Sequence, residues 1–147
     1  MKEAINTIQQ VVYTGYMNGS FSGINSWGLN NPTDPIVSYM TSNLNAQNCV
    51  AGNNAAPCNH GYNGTGPSYG FNSHSGRWVF SSGVHLTLYS VQTNPNSIAF
   101  FIDVEPNKSF IIGSANANEI HMYCNISETV VSPESQVTVK PGQCMPA

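Results

Sequence analysis

The apolar residues of this chain change their period once, and that single change limits the folds open to it. Over residues 2–17 they fall at Ala4, Ile5, Ile8, Val11, Val12, Tyr13, Tyr16 and Met17. Steps of three and four place these side chains on one stripe of a helix, with Lys2, Asn6, Gln9, Gln10 and Thr14 elsewhere on the wheel. Asn18-Gly19-Ser20 supplies the stop. After Gly76 the pattern is that of strands. Arg77-Trp78-Val79-Phe80, the tight Ser81-Ser82-Gly83 and Val84-His85-Leu86-Thr87-Leu88-Tyr89 read as a hairpin. In its second strand Val84, Leu86 and Leu88 share one face, and His85, Thr87 and Tyr89 the other. Residues 98–104 are apolar almost throughout, as a central strand would be. Ile120-His121-Met122-Tyr123-Cys124 and Val137-Thr138-Val139 read as further strands. No βα alternation and no internal repeat occurs, which disfavours a doubly wound fold. The pattern predicts an α+β domain in which an N-terminal amphipathic helix packs on an antiparallel β-sheet.

The segment between these two regimes is less regular. Residues 21–33 carry Gly23, Gly28 and Asn30-Asn31-Pro32. A short helix is expected over 35–44: Asp34 suits the N-cap, Pro35 the first helical position, and Ile36, Tyr39, Met40 and Leu44 recur at helical spacing. A long loop follows to residue 75. So long a loop in a compact domain calls for a staple, a function or minor structure. The expected organisation is one domain over 1–147: helix 1–18, a connecting region 19–75, then sheet and C-terminal loop 76–147.

Charge is scarce. Four Lys and Arg face seven Asp and Glu, and charged residues make up 7% of the chain against about 25% in an ordinary domain. Solubility rests instead on Asn, Ser, Thr and Gly, which also favour turns. A net charge of −3 excludes charge-driven disorder. Basic residues this few and this scattered make no phosphate-binding surface, so nucleic acid is not an expected partner.

The four cysteines, Cys49, Cys58, Cys124 and Cys144, read as two disulfides, although four cysteines permit three connectivities. Sequence proximity favours Cys49–Cys58 and Cys124–Cys144. The rival is a metal site built on Cys58 and His60, for which no Cys-x-x-Cys spacing exists. Disulfides place the chain in a periplasmic, surface or extracellular setting. The longest apolar run near the start is Val11-Val12-Tyr13, far short of a membrane span. Met1-Lys2-Glu3-Ala4 reads as a start placed inside a longer protein.

This layout resembles the globular part of a type IV pilin or pilin-like protein, with minor pilins and the pseudopilins of type II secretion included. The opening amphipathic helix is similar to the C-terminal half of the pilin α1 helix. Ile36-Val37-Ser38-Tyr39-Met40 through Leu44 to Cys49 resembles the short helix that precedes a Cys. Trp78-Val79-Phe80-Ser81-Ser82-Gly83-Val84 resembles the family's strand–turn–strand. Phe100-Phe101-Ile102-Asp103-Val104-Glu105-Pro106-Asn107-Lys108 resembles its apolar strand running into Asp and then Pro-Asn. Cys124 and Cys144 would bound the C-terminal loop called the D-region. The resemblance implies a structural subunit of a bacterial pilus (fimbrium) or related filament. Its partners would be other pilin subunits, and the inner-membrane assembly machinery through a preceding hydrophobic segment. It would reside at the cell surface or in an extracellular filament, its precursor anchored in the inner membrane, with roles that include cell adhesion to a host surface or glycan.

Catalytic signals are weak, and no enzyme activity, cofactor or metal is expected. Four His are present (His60, His74, His85, His121); on strands, His85 and His121 read as half-exposed sheet residues rather than general bases. Asp103 and Glu105 read as solvated acids at a strand end, and a small hydrolase using them with a His trails the other readings. Gly-x-Ser-x-Gly, His-Glu-x-x-His and Walker-type loops do not occur. Asn18, Asn63, Asn107 and Asn125 head glycosylation triplets that an Asn-rich chain produces easily. Trp27, Tyr62, Tyr69, Phe71 and Trp78 lie among Gly, Asn and Ser, which gives two alternatives: core packing, or the loops of a secreted carbohydrate- or protein-binding module.

Overall fold

The first helix, α1 (Lys2–Met17), forms where the helical period runs. It ends at Gly19, whose φ of 77° lies in the left-handed region, while the Ser20 N–H returns to the Gly15 carbonyl at 2.9 Å. That wrap-around closes helices with a residue few side chains tolerate there. In this computed structural model the described residues are 2–25, 31–50, 52, 58, 75–93, 96–103, 119–128 and 139–146.

The second helix, α2 (Pro35–Asn43), starts as its sequence dictates. Asp34 is the N-cap in extended conformation and its Oδ1 accepts the Ile36 N–H at 3.0 Å, with Pro35 in the first turn. Asp34 satisfies one of the donors that every helix start leaves open. The two helices are tied where the Tyr39 hydroxyl donates to the Val11 carbonyl at 2.7 Å. Gly15 makes room for that approach: a Cβ there would lie 2.6 Å from the Tyr39 ring and 2.8 Å from Phe21.

A six-stranded antiparallel sheet follows, its strands adjacent in chain order: β1 (Gln47–Asn48), β2 (Arg77–Val79), β3 (His85–Thr93), β4 (Asn96–Asp103), β5 (Glu119–Asn125) and β6 (Cys144–Pro146). Two of these, β1 and β6, are absent from the sequence-based reading. They hold two and three residues without alternation, and they exist because a neighbouring strand pairs them, Gln47 with Val79 and Cys144 with Cys124. The expected hairpin forms around Gly83 at φ 90°, with the Phe80 N–H donating to the Val84 carbonyl at 2.9 Å. Strand β3 continues past the expected end at Tyr89 to Thr93, and its register to β4 slips between Leu88 and Ser90. The bulge keeps Val91 in the apolar core after Leu88, although they lie an odd three positions apart. Of the expected strand over 137–139, Val139 makes a single bridge and the other two lie outside the described residues.

One face of the sheet supplies the core. Trp78, Leu86, Leu88, Ile98, Phe100, Ile102 and Met122 are almost fully buried in one cluster with Ile36, Val37 and Met40 of α2. Ile8 and Val12 of α1, both 0% exposed, belong to the same cluster. The period-2 strands and the period-3.6 helices deliver their apolar sides to one place, which makes the architecture α+β.

Candidate functional site

Two open grooves lie on the described surface, and their described linings are uncharged. The larger, about 780 Å³, lies between the end of α2, β1 and the β2–β3 turn, lined by Thr41, Ser42, Asn43, Asn45, Gln47 and Ser81 over Val79 and Phe80. Its polar groups are held in place. Thr41 Oγ1 accepts the Trp78 Nε1–H at 3.1 Å, and Asn43 Nδ2 donates to the Tyr39 carbonyl at 2.8 Å. The first bond leaves the Thr41 proton to donate outward, and the second leaves Asn43 Oδ1 as an acceptor. Asn45 turns the chain from α2 into β1 at φ 53°, the left-handed conformation Asn tolerates better than most residues.

The smaller groove, about 420 Å³, runs between α1 and the turn before β6, with Asn6, Gln9, Gln10, Tyr13, Gly142 and Gln143 among its lining. Gly142 sits at φ 79°, and a Cβ on it would lie 2.8 Å from Tyr16 Cδ2. Along α1 the outward residues Asn6, Thr7, Gln10, Tyr13, Thr14 and Met17 are exposed. None of these is charged, so over residues 4–17 the helix has one buried apolar side and one neutral outer side.

The other face of the sheet corrects one expectation. His85 is not half-exposed but 4% exposed, beside Thr87 at 0%, Arg77 at 3% and Phe101 at 1%. Both faces of the sheet are therefore buried around Arg77, His85, Thr87 and Phe101, and over residues 85–88 the alternation of β3 separates two buried environments rather than core from water. Tyr89 stacks on Phe101 at 4.0 Å and His121 meets Phe101 edge-on at 4.3 Å. Burial among these rings lowers the His121 pKa and raises that of Tyr89, because each charged form loses hydration. Pairing sets Asp103 opposite both His85 and Glu119; Glu105 lies outside the described residues. Arg77 is spent internally, its Nη2 donating to the Val50 carbonyl at 3.0 Å.

The disulfides are Cys49–Cys58 and Cys124–Cys144. Cys58 is thus unavailable as a thiolate ligand, which removes the metal arrangement drawn with His60, itself outside the described residues. Among the described residues no group of three or more His, Cys, Asp or Glu is placed to hold a metal. Trp78 is 0% exposed and belongs to the core; Trp27, Tyr62, Tyr69 and Phe71, like His74, Lys108, Asn63 and Asn107, lie outside the described residues. Asn125 is no glycan acceptor in the folded chain: it is 0% exposed and its Nδ2 donates to the Val139 carbonyl at 2.9 Å. Disulfides point to an extracellular or periplasmic setting, and no described helix is long and apolar enough to cross a membrane.

The residues that line the larger groove escaped sequence reasoning. Their only signal was indirect: Asn43, Leu44 and Asn45 at a helix end, with the Ser81-Ser82-Gly83 turn brought beside them by β2 pairing. No protein family, no curated protein and no solved structure matches this chain.

Proposed function

We propose that this chain is a structural subunit of a bacterial type IV pilus or a related filament. It assembles through its N-terminal helix and presents sheet and loops for subunit contacts or adhesion. The observation that carries this reading is the two-sided α1. Ile8 and Val12 are fully buried with the strand residues, while over residues 4–17 an uncharged outer side remains for neighbours. In this reading α1 lies across the sheet as a packed layer, and Tyr16 against Gly142 supports that placement. The late Cys124–Cys144 bridge, which ties β5 to β6 and bounds a C-terminal loop, supports it further. The work done is assembly rather than turnover, at the cell surface or in an extracellular filament.

The test begins with the native coding sequence. A short basic leader, a Gly, then about twenty apolar residues with a Glu near their start are expected before this domain. With an epitope inserted at the exposed Ser82, immunogold labelling of producing cells should decorate filaments. A cleavable secretory signal joined directly to this domain, with the epitope only in the soluble secreted fraction, would sink the proposal.

A further inference from the structure

We infer that the groove between the end of α2, β1 and the β2–β3 turn is a binding site for a neutral oligosaccharide. The site is independent of filament assembly, since every residue in it belongs to the single chain.

The volume, about 780 Å³, falls within the range of small-molecule sites. What selects the ligand class is the lining. Thr41, Ser42, Asn43, Asn45, Gln47 and Ser81 offer hydroxyls and carboxamides, and among the described residues no side chain lining the groove is charged. Hydroxyls and carboxamides both donate and accept, which matches a sugar, whose every hydroxyl does the same. Two of these groups are fixed before any ligand arrives. Trp78 commits Thr41 Oγ1 as an acceptor and leaves its proton to donate, and Tyr39 holds the Asn43 amide with Oδ1 left to accept. A preset donor and acceptor lower the ordering cost of a polar ligand. Phe80, half-buried at the base, adds an aromatic surface for the apolar face of a sugar ring.

Electrostatics exclude the competitors. The groove sits at the C-terminal end of α2, the negative end of the helix dipole, and no basic residue occupies the last turn. A sialylated or sulfated glycan, or a phosphate, would meet partial negative charge with no cation among the described lining residues to offset it. A cationic ligand would find no carboxylate among them. An extended peptide seeking the β1 edge would find only the two residues Gln47 and Asn48 to pair with, too few for a stable added strand.

The experiment is an amide NMR titration of the disulfide-bonded protein with a panel of neutral oligosaccharides, beside sialylated and sulfated ones. A neutral member should shift the signals of Thr41, Asn43, Asn45, Gln47, Phe80 and Ser81 in a saturable manner, and the anionic members should not. Ser81→Arg places bulk in the groove from an exposed turn position and should weaken binding at least about tenfold (~1.4 kcal/mol). Gln10→Arg, in the other groove, should leave binding unchanged; thermal melts show that both variants fold. Saturation by no neutral sugar, preference for the anionic ones, or indifference to Ser81→Arg would each overturn the assignment. So would a peptide that shifts β1 where sugars do not. None of these results touches filament formation, so the two ideas stand or fall separately.

Discussion

Replacing Gly142 by Ala tests how α1 is held. Gly142 is the third residue of a turn, Lys140-Pro141-Gly142-Gln143, closed by the Gln143 N–H on the Lys140 carbonyl at 3.0 Å. Its φ of 79° costs an L-residue about 1–2 kcal/mol. The added Cβ would also lie 2.8 Å from Tyr16 Cδ2 and 3.1 Å from Tyr13 Cδ2. Tyr13 is 45% exposed and can swing away, whereas Tyr16 is half-buried against the core, so an overpacking cost of about 1–3 kcal/mol falls on it. Together these give a loss of about 2–5 kcal/mol, or about 5–15 °C in Tm for a domain of this size. Urea unfolding followed by intrinsic fluorescence under oxidising conditions measures it. The double variant Gly142→Ala/Tyr16→Ala separates the two costs. Truncating Tyr16 should return the steric part, so the pair must be non-additive by about 1 kcal/mol or more. A Gly142→Ala loss under about 0.5 kcal/mol, or strict additivity with Tyr16→Ala, would refute the packing of α1 against this turn.

Other perturbations follow from single contacts. Thr41→Val leaves the buried Trp78 Nε1–H without its acceptor and should cost about 1–3 kcal/mol in urea unfolding. Thr87→Val should do the opposite: Thr87 Oγ1 is buried with no hydrogen-bond partner, and an isosteric methyl removes its desolvation penalty, for a gain of about 1 kcal/mol. Burial depresses the folded His121 pKa below its ordinary 6.5. The unfolded chain therefore binds more protons between the two values, and stability should decline as pH falls from about 6.5; His121→Asn should flatten that slope of urea midpoint against pH. Removing the Cys124–Cys144 bridge, which spans 20 residues, should cost about 3 kcal/mol, against about 2.5 for the nine-residue Cys49–Cys58 loop, by loop-entropy scaling.

The parts of the fold visible in the sequence are those whose cause is local. The α1 stripe, the Asp34-Pro35 start and the Ser81-Ser82-Gly83 turn each carry their own signal within a few residues. The edge strands do not. Gln47-Asn48 is polar and becomes a strand only because Val79 and Trp78 present backbone groups to it. Cys144–Pro146 is set beside β5 by a disulfide, which no periodicity reports. The Tyr89 bulge lets β3 run past a break in alternation that reads as a strand end. His85 was misjudged because alternation says which residues share a face and nothing about what covers that face. The larger groove was illegible for the same reason, being assembled from residues more than thirty positions apart.

The scarcity of charge gains a structural meaning once the few charges are located. Asp34 is 7% exposed and occupied as a helix cap, and Arg77 is 3% exposed and occupied by the Val50 carbonyl. Two of the chain's scarce ionisable side chains are thus internal fixtures, and the described linings of both grooves are uncharged and rich in amides and hydroxyls. Such a surface costs less to desolvate than a charged one when another molecule covers it, because no ion must be stripped of water. A stacked copy of the chain and a neutral sugar both benefit from that property. They need different places, however: the filament reading covers the outer side of α1, whereas the sugar groove lies at the far end of α2 beside the β2–β3 turn. Charge placed at Ser81 should therefore disturb sugar binding and spare assembly, while charge placed at Gln10 or Thr14 should do the reverse.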